Sequence, residues 1–418
     1  MNLLVRSAQI IDTTSPFHNL SKDILIKNGR IEAIEDEIIF DGEVFEAEGL
    51  KVSIGWFDLR AHYCDPGDEQ REDLVSGTRV AAAGGFTDVA LIPNTNPVIT
   101  GKNNLSYYQK WNRNAVVQLH PMAALTMNCE GKELTEMLDL HNAGAAAFTD
   151  GIQPIWHTAT MLKGLQYVQK FNGLLINRPE DQLLTSFGQM NEGKTSTLLG
   201  LSGMPQLAET IMIERDLKLL EYTGGRLHFA LVSSQESVEL IKAAQQRGMD
   251  VTCDVGINYL KFTEESVGDY DSHLKVNPPY RTEKDRLALI QAVKDGTISA
   301  IVSDHLPFDE ERKKLEFDLA AFGTPNQQTF YAVLNDVFGE DALELLPLFT
   351  TSPRKLLGLP SPQLAVGEEA CITLFNDDTW VFDSKTNQSK SVASPLFGAN
   401  MAGRVLGIVN QGQLLLNS

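Results

Sequence analysis

Apolar and polar positions change rhythm twice along the chain. Over residues 2–54 the apolar stretches are short, often alternating, and separated by polar turns: Leu3-Leu4-Val5, Ile10-Ile11, Asp23–Ile26 and Arg30–Ile34. Alternation of this kind predicts β-strands with one buried face. Lys27-Asn28-Gly29 between two of them is a hairpin signal. From Gly55 the order becomes strand, loop, helix. Phe86–Ile92, Val116–Ala124, Gly173–Ile176, Leu227–Val232, Asp250–Val255 and Ile298–Val302 predict buried strands. Helical periodicity predicts helices over Glu72–Ala83, Glu130–Ala143, Thr158–Phe171, Pro205–Thr223, Ser237–Arg247 and Arg281–Asp295. Repeated βα units imply a parallel sheet with right-handed crossovers. About eight such units fit between residues 55 and 360, which predicts an α/β chain built on a TIM-type (β/α)8 barrel. Residues 361–418 return to β character, so 1–54 and 361–418 are expected to form one small composite β-sandwich module.

Apolar residues make up 43% of the chain and charged residues 22%, as in a soluble globular protein. A net charge of −20 argues against nucleic acid and anionic membrane surfaces as partners. Cys64, Cys129, Cys253 and Cys371 are far apart, with no metal-binding spacing, so reduced thiols in the cytoplasm are expected. Arg6 and Asp12 interrupt the first apolar residues, and no signal peptide is expected. No apolar run reaches the ~18–20 residues of a membrane span.

The candidate chemistry begins at Gly55–Gly67. On a strand ending at Pro66-Gly67, Arg60, His62 and Cys64 would share one face at the C-terminal end, the chemical end of a barrel. Two His residues at i and i+2 there would be metal ligands, but Arg60 cannot coordinate a metal.

Several motifs resemble the dihydroorotases of the amidohydrolase superfamily, over nearly the whole chain. Phe57-Asp58-Leu59 through Pro66-Gly67 is similar to the family's FDLHVHLREPG. Ala81–Thr87 and Pro93–Val98 resemble AAAGGFT and PNTxPV. Lys275–Pro279, Ser303–Pro307, Leu315–Phe317 and Phe322-Gly323 resemble KVNPP, TDHAP, LEF and PFG. The resemblance implies hydrolysis of a cyclic amide in pyrimidine biosynthesis, with a zinc pair generating hydroxide.

Carried over residue by residue, the ligand set is depleted. The family's ligand positions fall on Arg60, His62, Gly151, Arg178, Leu231 and Asp304, with Asp150 one residue from the bridging carboxylate. Only His62 and Asp304 remain usable there, and a one-residue shift would add Asp150. The carboxylate-clamping Arg falls on Cys64 and a substrate His on Phe308, while Asn94, Asn277, Phe322 and Gly323 stay where the family holds the ring. His62 alone does not make a zinc site, and His228 and His305 are expected to be structural. Buried carboxylates without a metal need a cation, so Arg60 or Arg178 is expected to pair with Asp304.

The expectation is therefore a catalytically inactive dihydroorotase homologue without a cofactor, Asp304 being vestigial. Non-catalytic members imply association with aspartate carbamoyltransferase as a structural or regulatory partner, and the resemblance to amidohydrolase barrels, often dimers, implies association with further copies of the same chain. The alternative is an active cyclic-amide hydrolase, either with an atypical site in which His62 or Asp304 serves as base or with a single-metal zinc site using His62, Asp150 and Asp304.

Overall fold

A computed structural model describes residues 1–417. Its centre is a ring of parallel strands. Trp56–Ala61, Phe86–Leu91 and Gln118–Pro121 pair in that order, as do Leu174–Asn177, Arg226–Phe229, Val251–Gly256 and Ala300–Val302. Phe148 joins the two sets through bridges to Ala123 and Leu175. The ring closes where Ala61 bridges His305 and His62 N–H donates to the His305 carbonyl at 2.9 Å. Eight positions around the ring make it a (β/α)8 barrel.

The barrel interior is packed with Phe57, Leu59, Ile92, Met122, Ile176 and Val302. A second apolar layer, including Leu119, Leu165, Ile213, Ile241 and Leu289, lies between the strands and the surrounding helices. Strands buried on both faces read as near-continuous apolar runs, which is why they stand out in the sequence.

The β-sandwich module uses both ends of the chain. Lys51–Ile54 pairs with Asn2–Ile10 on one side and with Ile372–Val381 on the other. The hairpin Ser21–Lys27/Arg30–Glu35 turns at Asn28 and Gly29, whose φ values of 52° and 76° suit a primed turn. Residues 382–399, between Ile372–Val381 and its antiparallel neighbour Asn400–Asn410, leave the sheet and lie against the barrel loops: Ser391 Oγ donates to the Phe308 carbonyl, and Thr324 Oγ1 to the Ala393 carbonyl.

One predicted helix is mostly not formed. Of Glu130–Ala143 only Met137–Asn142 is helical, preceded by a short turn at Met127–Cys129. Asn128, Cys129 and Gly131 all have positive φ, and a Cβ on Gly131 would lie 2.5 Å from the Trp156 indole nitrogen. The chain makes a compact turn there rather than a helix. Helices at Lys102–Asn112, Lys194–Leu199 and Phe330–Phe338 are additional to those predicted from the sequence.

Candidate functional site at the barrel mouth

The C-terminal strand ends bring Arg60, Arg178, Asp304 and the Gly151 loop together. Ser303 is pinned to Asp58 through its backbone N–H at 3.1 Å and through its hydroxyl. The next residue, Asp304, adopts φ 49°. Its Oδ1 accepts from Arg60 Nε at 3.0 Å, and the Arg60 side chain is only 5% exposed. Arg60 Nη2 also donates to the Gly151 carbonyl at 3.2 Å. Burial pushes the Asp304 carboxyl up to about 6, against the pull of the Arg60 charge. The guanidinium thus favours the anion at a depth where burial opposes it.

Arg178 takes a different partner. Its guanidinium pairs with Glu180, while its Nε donates to the Ile152 carbonyl at 2.8 Å. Glu180 Oε1 accepts from Thr185 Oγ1 at 2.5 Å, and Asn277 Nδ2 reaches Glu180 Oε2 at 3.2 Å. Burial raises the Glu180 carboxyl, but Arg178 and these donors outweigh it and leave the net shift downward. Glu180 was not singled out from the sequence. Its signal was there, because Arg178 and Glu180 are two residues apart just beyond a strand.

His62 is fully engaged. The Cys64 N–H donates to Nδ1 at 2.8 Å, so the ring proton is on Nε2 and faces the Asn94 carbonyl at 3.1 Å. Burial, reinforced by the Arg71 charge, lowers its pKa to about 3, so the imidazole is neutral.

Asn94 and Gly151 interlock. Asn94 Nδ2 donates to the Asp150 carbonyl at 2.9 Å, and Asn94 Oδ1 accepts from Ile152 N–H at 2.9 Å. Gly151 has φ 64°, and a Cβ there would lie 1.8 Å from Asn94 Oδ1. Asp150 lies beside Gly151 but turns its carboxylate away from Arg60 and toward Thr126. Its oxygens accept from Thr126 N–H at 2.9 Å and Thr126 Oγ1 at 2.5 Å. The Asn94 amide therefore fixes a loop rather than standing free for a substrate ring, and Asn277 is committed to Glu180.

Leu231 is buried at φ 56°, an unusual conformation for a γ-branched residue, with its N–H donating to Asp254 Oδ1 at 2.7 Å. His228 bridges Thr252 Oγ1 at 2.8 Å and Asp254 Oδ2 at 2.9 Å with no exposed surface. His305 Nδ1 accepts from Asn326 N–H at 3.3 Å, and its Nε2 lies 3.5 Å from Glu72.

The remaining pocket positions are filled by internal contacts. Burial raises the Cys64 thiol to about 12. The Phe308 ring lies 3.7 Å beneath the Arg71 guanidinium, which also donates to the Pro307 carbonyl. Arg71, a third buried guanidinium near the mouth, was not singled out from the sequence. Phe322 lies 4.6 Å from Lys275 Nζ, and Gly323 N–H donates to the Lys275 carbonyl at 2.9 Å.

The donor set does not fit a zinc pair. Arg60, Arg178 and Leu231 stand at three of the positions that the sequence resemblance assigns to ligands, both His62 nitrogens are engaged, and Asp150 is turned to Thr126. Among the described residues no group of three or more His, Cys, Asp or Glu side chains is arranged to hold a metal. No described helix is long and apolar enough to cross a membrane.

Comparison with known proteins adds to this geometry. A family described as Dihydro-orotase-like matches residues 50–237, and the Amidohydrolase family matches residues 204–415. The chain is 36% identical to the dihydroorotase of Syntrophus aciditrophicus (strain SB), covering 99% of each chain. It is 37% identical to that of Elusimicrobium minutum (strain Pei191), covering 100% of this chain and 98% of the other. Among solved structures, the L-hydantoinase (dihydropyrimidinase) of Arthrobacter aurescens is similar in fold, with a TM-score of 0.85 and 22% identity, over 100% of this chain and 96% of that one.

Proposed function

Since the chain belongs to the dihydroorotase-like family of the amidohydrolases, we propose that it is a member whose barrel mouth has exchanged metal chemistry for internal ion pairs. The observation that carries this reading is the buried Arg60–Asp304 pair at 3.0 Å. In the family, the zinc pair supplies a hydroxide and polarises the amide carbonyl. Here Arg60 neutralises Asp304 directly and holds the Gly151 loop by its other nitrogen. A guanidinium stays protonated in proteins and cannot take up a proton as a general base must. His62 is neutral, but its one lone pair is spent on the Cys64 N–H.

Such a chain would serve through its outer surface, as a structural or regulatory partner of aspartate carbamoyltransferase and as an oligomer of itself. A preserved barrel around an altered mouth, together with the family's non-catalytic members, supports this.

The test is zinc per chain by elemental analysis, with dihydroorotate hydrolysis assayed on the same untagged sample. Near-zero zinc and no turnover after zinc is added are the expected results. Stoichiometric metal with turnover would establish instead an active cyclic-amide hydrolase with an atypical site. For the partnership, co-migration of the two chains at micromolar concentration is expected, and independent migration would refute it.

A further inference from the structure

Asp12 carries a buried carboxylate that is satisfied on one side only. The residue lies just beyond the strand Asn2–Ile10 and is 9% exposed. Its Oδ1 accepts from Thr14 N–H at 2.9 Å and from Thr14 Oγ1 at 2.7 Å. Its Oδ2 is buried without a hydrogen-bond partner. A carboxylate at such depth lowers stability unless something compensates its charge, and an unpartnered oxygen calls for an explanation.

Asp12 lines a cavity of about 40 Å³ at the seam between the sandwich module and the barrel. The module contributes Asp12, Thr14 and Ser53, and the barrel contributes Thr350 and the segment before it. Space of that size holds an ion with a water or two and excludes an organic molecule. Ser53 precedes Trp56–Ala61, the first barrel strand, so the cavity lies at the end of the barrel opposite the mouth.

Three of the hydroxyls around it have already committed their protons. Thr14 Oγ1 donates to Asp12 itself, Ser53 Oγ to the Ile54 carbonyl at 3.0 Å, and Thr350 Oγ1 to the Leu346 carbonyl at 2.7 Å. Each keeps a lone pair and has no proton to give Asp12 Oδ2. No lysine, arginine or histidine is among the described residues that line the cavity. One carboxylate among hydroxyl oxygens is a donor set for a hard cation. A single carboxylate balances a single charge, and among the described residues no group of three or more His, Cys, Asp or Glu side chains is arranged to hold a more highly charged metal. A chain of net charge −20 also concentrates cations around itself.

We propose that this cavity is a site for a single alkali cation, potassium or sodium, which Asp12 Oδ2 ligates and which staples the sandwich module to the barrel. None of its residues belongs to the mouth, so the site stands whether or not the mouth binds zinc.

The experiment uses the full chain in choline chloride. Thermal unfolding is followed while potassium chloride or sodium chloride replaces choline at constant ionic strength. A saturable rise in the midpoint is expected, on the order of 3 °C at a hundredfold excess over Kd. The ion with the lower half-saturation point is the one the cavity selects. Asp12→Asn keeps an oxygen for Thr14 and replaces Oδ2 by an uncharged donor. The rise should vanish in that variant, and its midpoint in choline should equal or exceed that of the wild type. Broadening of the sodium NMR resonance by the wild-type chain, reversed by potassium, reads the same site without any variant.

Equal midpoints in alkali and choline chloride would overturn the proposal, and Asp12 would then be satisfied by water alone. An equal rise in wild type and Asp12→Asn would overturn it too, as would a sodium resonance that the wild-type chain leaves sharp.

Discussion

At the scale of single residues the mouth is governed by the cost of uncompensated charge. Arg60→Met removes the cation from Asp304 and is expected to destabilise the fold by about 3–5 kcal/mol. The double variant Arg60→Met/Asp304→Leu should recover most of that loss, because replacing both members of a buried pair is often neutral. Urea unfolding of the two variants checks this, and equal losses in both would refute it. Gly151→Asp, which puts a carboxylate where the sequence resemblance expects a ligand, should cost about 2 kcal/mol or more and bring no zinc with it. The new Cβ would meet Asn94 Oδ1, and φ at that position is 64°. A stable, zinc-loaded variant would contradict the geometry. Residue types at the mouth were legible in the sequence, including the expectation that Asp304 takes a guanidinium partner. The directions in which Asp150 and Asn277 point were not, because each is set by a loop whose path depends on distant contacts, Thr126 for one and Glu180 for the other.

At the scale of elements, strands were read more securely than helices. Barrel strands are buried on both faces and leave apolar runs that loops do not imitate. The segment Glu130–Ala143 carries helical periodicity, yet its first half is held in a turn by Thr126, whose hydroxyl accepts from Gly131 N–H at 2.8 Å. Thr126 is itself fixed by the Asp150 carboxylate, 24 residues on, and a tertiary contact of that sort leaves no local trace. Where capping is local the sequence does show it. Thr282 opens the helix Glu283–Lys294 with a reciprocal cap, in which Asp285 N–H donates to Thr282 Oγ1 at 3.3 Å and Thr282 N–H to Asp285 Oδ2 at 3.2 Å. Thr282→Ala should cost about 1 kcal/mol, read from chemical denaturation, while Thr282→Ser should retain most of the stability.

At the scale of the whole molecule, acidity and burial act together. Burial holds Asp150, Asp216 and Asp304 each up to about 6. An unfolded chain would ionise them near 3.8, so between roughly 4 and 6 the folded state binds more protons and stability falls as pH rises. Asp88 behaves oppositely. Burial raises it, but Arg354 and His120 overcome that and hold it at about 2, so its contribution is present above 3.8 and lost as pH falls toward 2. Mild acidification also relieves repulsion within a chain of net charge −20. The thermal midpoint should therefore be higher near pH 5 than at pH 7 and drop below about pH 4. A midpoint that declines steadily from pH 7 downward would show that these carboxyls are not buried as described.

The strand Lys51–Ile54 has neighbours from opposite ends of the chain, and this bears on how the protein is made. On a ribosome its outer edge, the one that will receive Ile372–Val381, is complete long before that partner exists. At roughly 5–20 residues per second the barrel is synthesised in between, leaving the edge open for something of the order of half a minute. Through that interval an unpaired strand is free to join a strand from another nascent chain. Lys51 lies on that edge and carries a charge into any such pairing, until Asp377 arrives with the final strands and takes it up as an ion pair.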